Sequence, residues 1–225
     1  MHRMGKSQVE TITDIQQKIG RDIFDYQALL DALSGYSKPR DRITRLLAAG
    51  AIVRVKKGLY CFGESVRRGP VIREHLANLI YGPSYISLEY ALAYHGLIPE
   101  RVERITSVTT RRSREFATPF GVFSYRMLSV TRYAAGVVIE EAAGTPFLIA
   151  TPEKALADKV WTDKRFSGRR IFDYRGYLLE DLRIDEEALR GLDGSRLKQV
   201  AGAYSSPKIS KLVRCLERME ESVRA

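Results

Sequence analysis

Apolar positions along the chain alternate between a helical and a strand period, and the changes of period divide it into elements. Val9, Ile12, Gln16 and Ile19 share one face of a first helix, with Ile15 at its edge and Gly20 behind it. Residues 21–24 read as a short extended bridge. Asp25 is placed to cap a second helix, striped by Tyr26, Leu29, Leu30 and Leu33. After a turn at Ser34, Gly35 and Tyr36, a third helix is expected, with Ser37 as N-cap and a proline in its first turn. Its inner stripe is Ile43, Leu46 and Leu47, and Gly50 stands where a left-handed C-cap belongs. Residues 52–56 then alternate like a strand, Lys57 and Gly58 supply the turn, and residues 59–62 return as a second strand.

Beyond a polar stretch at 63–70, helical spacing resumes over 71–80. Ser87 is expected to cap a helix with Leu88, Ala91 and Leu92 inside and Gly96 as its stop. The period then changes to strand at 105–110 and at 120–127, which predicts a β-hairpin joined through Arg111, Arg112 and Arg114. A second hairpin is expected from 137–139 and 147–149 around Ala143 and Gly144. Thr151 and Pro152 open a helix with Leu156, Val160 and Trp161 as core contacts. In the tail, Phe166, Phe172, Tyr174 and Tyr177 alternate with Lys164, Arg165, Arg169, Arg170 and Arg175. These aromatics fit the buried side of an amphipathic segment better than a base-stacking platform. The last helix starts after Ser206 and Pro207 and aligns Ile209, Leu212, Val213, Leu216 and Met219.

Charge adds a distinction that periodicity lacks. The chain has 225 residues, with 37 Lys plus Arg against 27 Asp plus Glu, a net of +10. Such a surplus favours an acidic partner, most simply nucleic acid. It is also local. Residues 1–35 hold four basic and five acidic side chains, whereas 37–61 hold seven basic ones and the single acid Asp41. Lys38, Asp41, Thr44, Arg45 and Ala48 occupy the outer face of the third helix, with Arg42 on its flank. Thr44 and Arg45 are suited to donate to base edges, and Ala48 is small enough for close approach. Lys38, Arg40, Arg42, Arg54, Lys56 and Lys57 complete the candidate DNA-binding set, the hairpin cations holding phosphate. A solvated charged face is the plainer alternative. Arg111, Arg112 and Arg114 form a second basic patch that reads equally as a phosphate contact or a solvated loop.

Candidate catalytic chemistry is sparse. The sequence has no phosphate-binding loop of the Gly-x-x-x-x-Gly-Lys-Ser/Thr type and no Gly-x-Ser-x-Gly elbow. No lysine follows an acid by two places, and Gly194-Ser195 lacks the Asp-x-Asp of a nucleotidyltransferase. Asp181 and Asp185 are spaced as neighbours on one helix. His2, His75 and His95 have no partner at metal-ligand spacing, and His95 is expected to meet a helix C-terminus. Cys61 and Cys215 are too few for a disulfide framework, and Cys215 is expected to be packed. No catalytic residue, metal or cofactor is assigned. No apolar run reaches the roughly 18 residues of a membrane span, and the opening residues lack the apolar core of a signal peptide. A cytoplasmic protein with no membrane partner is expected.

Several segments together resemble a known family. They are Gly-Pro-Ser-Tyr-Ile-Ser-Leu-Glu-Tyr-Ala-Leu (82–92), Gly-Leu-Ile-Pro-Glu (96–100), Ile-Thr-Ser-Val-Thr-Thr (105–110), Phe-Gly-Val-Phe-Ser-Tyr-Arg (120–126) and Ala-Thr-Pro-Glu-Lys-Ala-Leu-Ala-Asp-Lys (150–159). In order and spacing they look like AbiEi, the antitoxins of AbiE-type, type IV toxin–antitoxin systems. Leu46 and Leu47 through Tyr60 look like the close of that family's winged helix. The resemblance covers roughly residues 10 to 160. It implies a bacterial protein encoded beside a nucleotidyltransferase-like toxin. The winged helix would bind inverted repeats in the double-stranded DNA of a shared promoter and repress it, and the C-terminal domain would counter the toxin. In the family this does not need a stable antitoxin–toxin complex, so a direct complex is left open.

The expected fold is therefore α+β. A winged helix-turn-helix at 1–64 precedes a domain of helices around two β-hairpins at 65–225, with a helical tail. The expected function is transcriptional repression coupled to antitoxin activity. The alternatives are an interaction module that silences a toxin by direct contact, or a stand-alone winged-helix regulator.

Overall fold

The computed structural model describes the backbone of residues 6–224 and the side chains of 12–221. Val9, on the expected face of the first helix, and His2 lie outside the residues whose side chains are described. The protein is a mixed α+β chain that divides into two compact units. Unit 1 is Met1–Val71 with Thr118–Phe120, and unit 2 is Ile72–Ala117 with Gly121–Ala225.

Unit 1 runs α1 (Lys6–Ile19), β1 (Ile23–Asp25), α2 (Tyr26–Ala32), α3 (Pro39–Ala48), β2 (Ile52–Lys56) and β3 (Leu59–Phe62). The three strands form an antiparallel sheet in the order β1-β3-β2. Asp25 caps α2, its carboxylate accepting the Ala28 amide at 2.8 Å. The helical stripes deliver Ile12, Ile15, Leu29, Leu33, Ile43 and Leu46 to one core with Phe24, Ile52, Tyr60 and Phe62 from the sheet. α3 starts differently from the expectation. Ser37 does not cap it; Lys38 holds that position with no side-chain hydrogen bond, and Pro39 is the first helical residue. The fixed φ of proline suits the first turn, whereas the residue before it is pushed out of helical conformation. The serine therefore sits one place too early. The C-terminus matches the expectation: Gly50 has φ +68°, its amide bonds to Leu47 O at 3.0 Å, and the Ala51 amide to Leu46 O at 3.0 Å. That pair of bonds is the Schellman arrangement, and it turns the chain straight into β2.

Unit 2 runs α4 (Arg73–Ile80), β4 (Ser84–Ile86), α5 (Leu88–Tyr94), β5 (Ile105–Thr109), β6 (Arg114–Thr118), β7 (Gly121–Met127), α6 (Val130–Tyr133), β8 (Val137–Ala142), β9 (Thr145–Ala150) and α7 (Pro152–Thr162). It closes with α8 (Asp173–Gly176), a π-helical turn (Tyr177–Asp181), α9 (Glu186–Arg190), α10 (Gly194–Tyr204) and α11 (Pro207–Arg224). Its sheet has six strands in the order β6-β7-β5-β4-β9-β8. The expected hairpin from 105–110 and 120–127 is not formed. β5 pairs with β7 in parallel, Ile105 opposite Phe123 through Thr109 opposite Met127, and β6 takes the edge. Arg114, expected in a loop, opens β6. Parallel neighbours need a crossover, and here the intervening β6 provides it. The other hairpin is present: β8 pairs antiparallel with β9, and Ala143 and Gly144 both take positive φ in a two-residue turn.

Three further expectations are corrected. Ser87 stands at the N-cap of α5 but makes no capping bond, because its hydroxyl is committed elsewhere. Asp181 and Asp185 do not share a helix; one ends the π-helical turn and the other caps α9. Among the tail aromatics, Tyr174 and Tyr177 are buried and Phe166 stacks on Tyr177, but Phe172 is exposed. Cys215 is packed and free, and so is Cys61, whose thiol burial pushes up to about 11.

Candidate nucleic-acid interface

The basic side chains of α3 and the β2–β3 hairpin form the candidate interface in unit 1. Ile43 and Leu46 anchor the helix, which leaves the opposite face in solvent: Arg40, Asp41, Thr44, Arg45 and Ala48 are all exposed. Arg40, Thr44 and Ala48 follow one another at four-residue spacing, with Asp41 and Arg45 on the adjacent row. Lys38 is exposed at the mouth of the helix. On the hairpin Arg54 and Lys57 are exposed, and Lys56 is half-buried.

The electrostatics of this face are one-sided. Among the described residues, ion pairs of unit 1 join Lys18 to Asp14 at 2.9 Å, Arg21 to Asp25 at 3.8 Å and Arg67 to Glu64 at 3.4 Å, none of them drawing on Lys38, Arg40, Arg45, Arg54 or Lys57. Among the described residues Lys38, Arg40, Arg45 and Lys57 therefore meet no carboxylate. Arg54 lies over the Tyr60 ring at 5.8 Å, a contact that keeps its charge.

Two of the sequence-selected residues are less available than their positions suggest. Arg42 is half-buried with its guanidinium 5.6 Å from the Tyr36 ring centroid, and its Nε is buried with no hydrogen-bond partner. Thr44 donates its hydroxyl proton to Arg40 O at 3.2 Å, one helical turn back. Seated this way the hydroxyl can accept a hydrogen bond from a partner but not donate one, contrary to the role expected for it.

The second basic patch is partly absorbed by the fold of unit 2. Arg111 donates to Gly82 O at 3.3 Å and lies 5.2 Å over Tyr81; Arg114 lies 5.7 Å over Phe116. Only Arg112 is exposed with no such side-chain contact among the described residues.

The densest chemistry in unit 2 is buried. Lys154 and Asp158, one turn apart on α7, pair at 3.0 Å with both side chains fully inaccessible. Asp158 also accepts the hydroxyls of Tyr85 at 2.9 Å, Ser87 at 2.6 Å and Tyr204. Burial lowers the affinity of Lys154 for its proton and raises those of Tyr85 and Tyr204, with Asp158 reinforcing the tyrosine shifts. A lysine, a carboxylate and three hydroxyls within bonding distance would suggest a catalytic centre if a substrate could reach them. Enclosed as they are, they hold α7, the β4 region and α10 together. No signal in the sequence distinguishes this i,i+4 pair from a solvated one. Among the described residues no group of three or more His, Cys, Asp and Glu side chains is placed to hold a metal. His75 and His95 bond instead to the carbonyls of Pro146 and Ala150, each at 2.7 Å.

No helix is long and apolar enough to cross a membrane among the described residues. No protein-family model matches the chain, and no curated protein matches it either.

Proposed function

We propose that the chain is a DNA-binding repressor and antitoxin of the AbiE-like type IV kind. Unit 1 acts as a winged helix: α3 enters the major groove of promoter DNA, and the β2–β3 hairpin rests on the phosphate backbone. The domain behind it counters a nucleotidyltransferase-like toxin. The observation that carries the DNA reading is the exposed row formed by Lys38, Arg40 and Arg45 of the α3 region and Arg54 and Lys57 of the hairpin, which meet no carboxylate partner among the described residues. A merely solvated face would ordinarily interleave both signs, as the helices before it do. The antitoxin half rests on the resemblance of residues 82–159 to AbiEi, and the protein acts by binding rather than by catalysis.

The test is binding of the full chain to the duplex immediately upstream of its own gene, against a scrambled duplex of equal length. Specific binding to the upstream duplex is expected. Arg45→Ala should weaken it by about 1–3 kcal/mol while affecting the scrambled duplex less. Equal affinity of the unaltered protein for both duplexes would remove sequence-specific repression from the proposal.

A further inference from the structure

Unit 2 contains a cleft of about 770 Å³ that the DNA reading leaves unused. Arg114 of β6 and Ser124 and Arg126 of β7 line it together with the end of α7 and Lys164 and Arg165. Strand alternation puts Ser124 and Arg126 on the face opposite the buried Phe123 and Tyr125. The volume lies in the range of small-molecule sites, about 300–1,000 Å³.

The charges in this cleft do not cancel. Its three acids, Glu89, Glu115 and Asp163, are all engaged. Lys159 stands 2.8 Å from Glu89 and 3.3 Å from Asp163, Arg165 is 3.4 Å from Asp163, and Arg104 pairs with Glu115. The Tyr177 hydroxyl also donates to Asp163 at 3.2 Å. Arg104, Lys159 and Arg165 are thus committed to the acids. Arg114, Arg126 and Lys164 remain as exposed cations with no carboxylate partner among the described residues. Three uncompensated cations around one concavity concentrate positive potential there.

The lining also limits what can bind. Tyr125 is its one aromatic residue and is buried, so no open ring offers a stacking platform for a base. The cleft can reward phosphates and discriminate poorly among bases. A monophosphate carries about two negative charges, fewer than the three cations present. We propose that this cleft binds the polyphosphate chain of a nucleotide, with the nucleoside triphosphates as its ligand class.

Isothermal titration of the full chain with ATP, GTP, inorganic triphosphate and AMP tests this, without divalent cations. ATP, GTP and triphosphate should bind alike, and AMP about tenfold or more weaker. Arg126→Ala with Lys164→Ala should weaken ATP binding about tenfold. Both residues are exposed, so an unchanged melting temperature is expected and would separate lost binding from lost folding. Arg45→Ala with Lys57→Ala should leave ATP binding unchanged while weakening DNA binding, which keeps this proposal and the DNA reading separately testable. Absence of saturable ATP binding would overturn it. So would equal affinity for AMP, loss of ATP binding in the unit 1 variant alone, or displacement of ATP by a single-stranded oligonucleotide with a 5′-hydroxyl at equal phosphate concentration.

Discussion

Lys154 Nζ lies 3.0 Å from Asp158 Oδ1 in the interior of unit 2, and neither side chain has any solvent exposure. The pair is worth more as a constraint than as an attraction. Two charges removed from water lose hydration that their mutual attraction only partly restores, and removing one partner strands the other. Asp158→Ala would leave Lys154 without its counter-charge and would deprive Tyr85, Ser87 and Tyr204 of their acceptor. The expected cost is about 3–5 kcal/mol, read in chemical denaturation as early loss of unit 2. Lys154→Met with Asp158→Leu should recover part of that loss, since it removes both buried charges. A single-variant cost below about 1 kcal/mol would show that the network contributes little.

Asp163 gives a prediction in pH. Burial alone would raise its carboxyl, but hydrogen bonds from the Arg165 side chain and backbone, with the Lys159 ammonium, outweigh it and hold the group below its ordinary 3.8. A carboxyl depressed in the folded state contributes stability that is present above 3.8 and is lost as pH falls through the lower folded-state value. Asp163→Asn should therefore be less stable than the unaltered protein at neutral pH, and its melting temperature should fall less steeply on acidification below 3.8. Parallel acid limbs in the two proteins would count against the assignment.

These two sites also mark what the sequence could not convey. Local devices were legible: the Asp25 cap, the left-handed Gly50, the β2–β3 and β8–β9 turns and the stripes of α1, α2 and α3 depend on residues a few places apart. Pairing across distance was not. Alternation shows that 105–109 and 121–127 are strands but carries no information on direction, so sequential neighbours read as a hairpin where the fold makes them parallel. The three residues of β4 are all buried and show no alternation. Nothing in the local pattern marks Lys154 and Asp158 as buried, because their burial depends on Tyr85, Ser87 and Tyr204, far away in the chain. At the candidate interface, the exposed cations were found from spacing alone. The half-burial of Arg42 and the back-bonded Thr44 follow from side-chain packing that spacing cannot supply.

The hairpin can be tested through salt. If Arg54 and Lys57 each neutralise one phosphate, Arg54→Ala with Lys57→Ala should weaken binding to all duplexes about equally. The slope of log affinity against log salt should flatten by about 1.8, since each contact contributes about 0.9. Anisotropy titrations across a salt series measure it. Weaker binding with an unchanged slope would take the hairpin off the phosphates and leave α3 as the whole interface.

The division of labour between the units has its own test in growth. A fragment of residues 66–225 lacks α3 and the hairpin but keeps every residue of the unit 2 core. Under the proposed function, co-expression of this fragment with a nucleotidyltransferase-like toxin candidate from the adjacent gene should restore growth as the full chain does, while a reporter driven by the upstream promoter stays unrepressed. The two readouts fail for different reasons. In the proposed division of labour, repression would need the α3 cations and neutralisation only a folded unit 2, so Asp158→Ala in the full chain should impair growth rescue before it impairs binding of the upstream duplex. A fragment that loses both activities although it remains folded by circular dichroism would show that neutralisation needs unit 1. The proposed antitoxin role would then rest on the whole chain rather than on the domain that carries the resemblance.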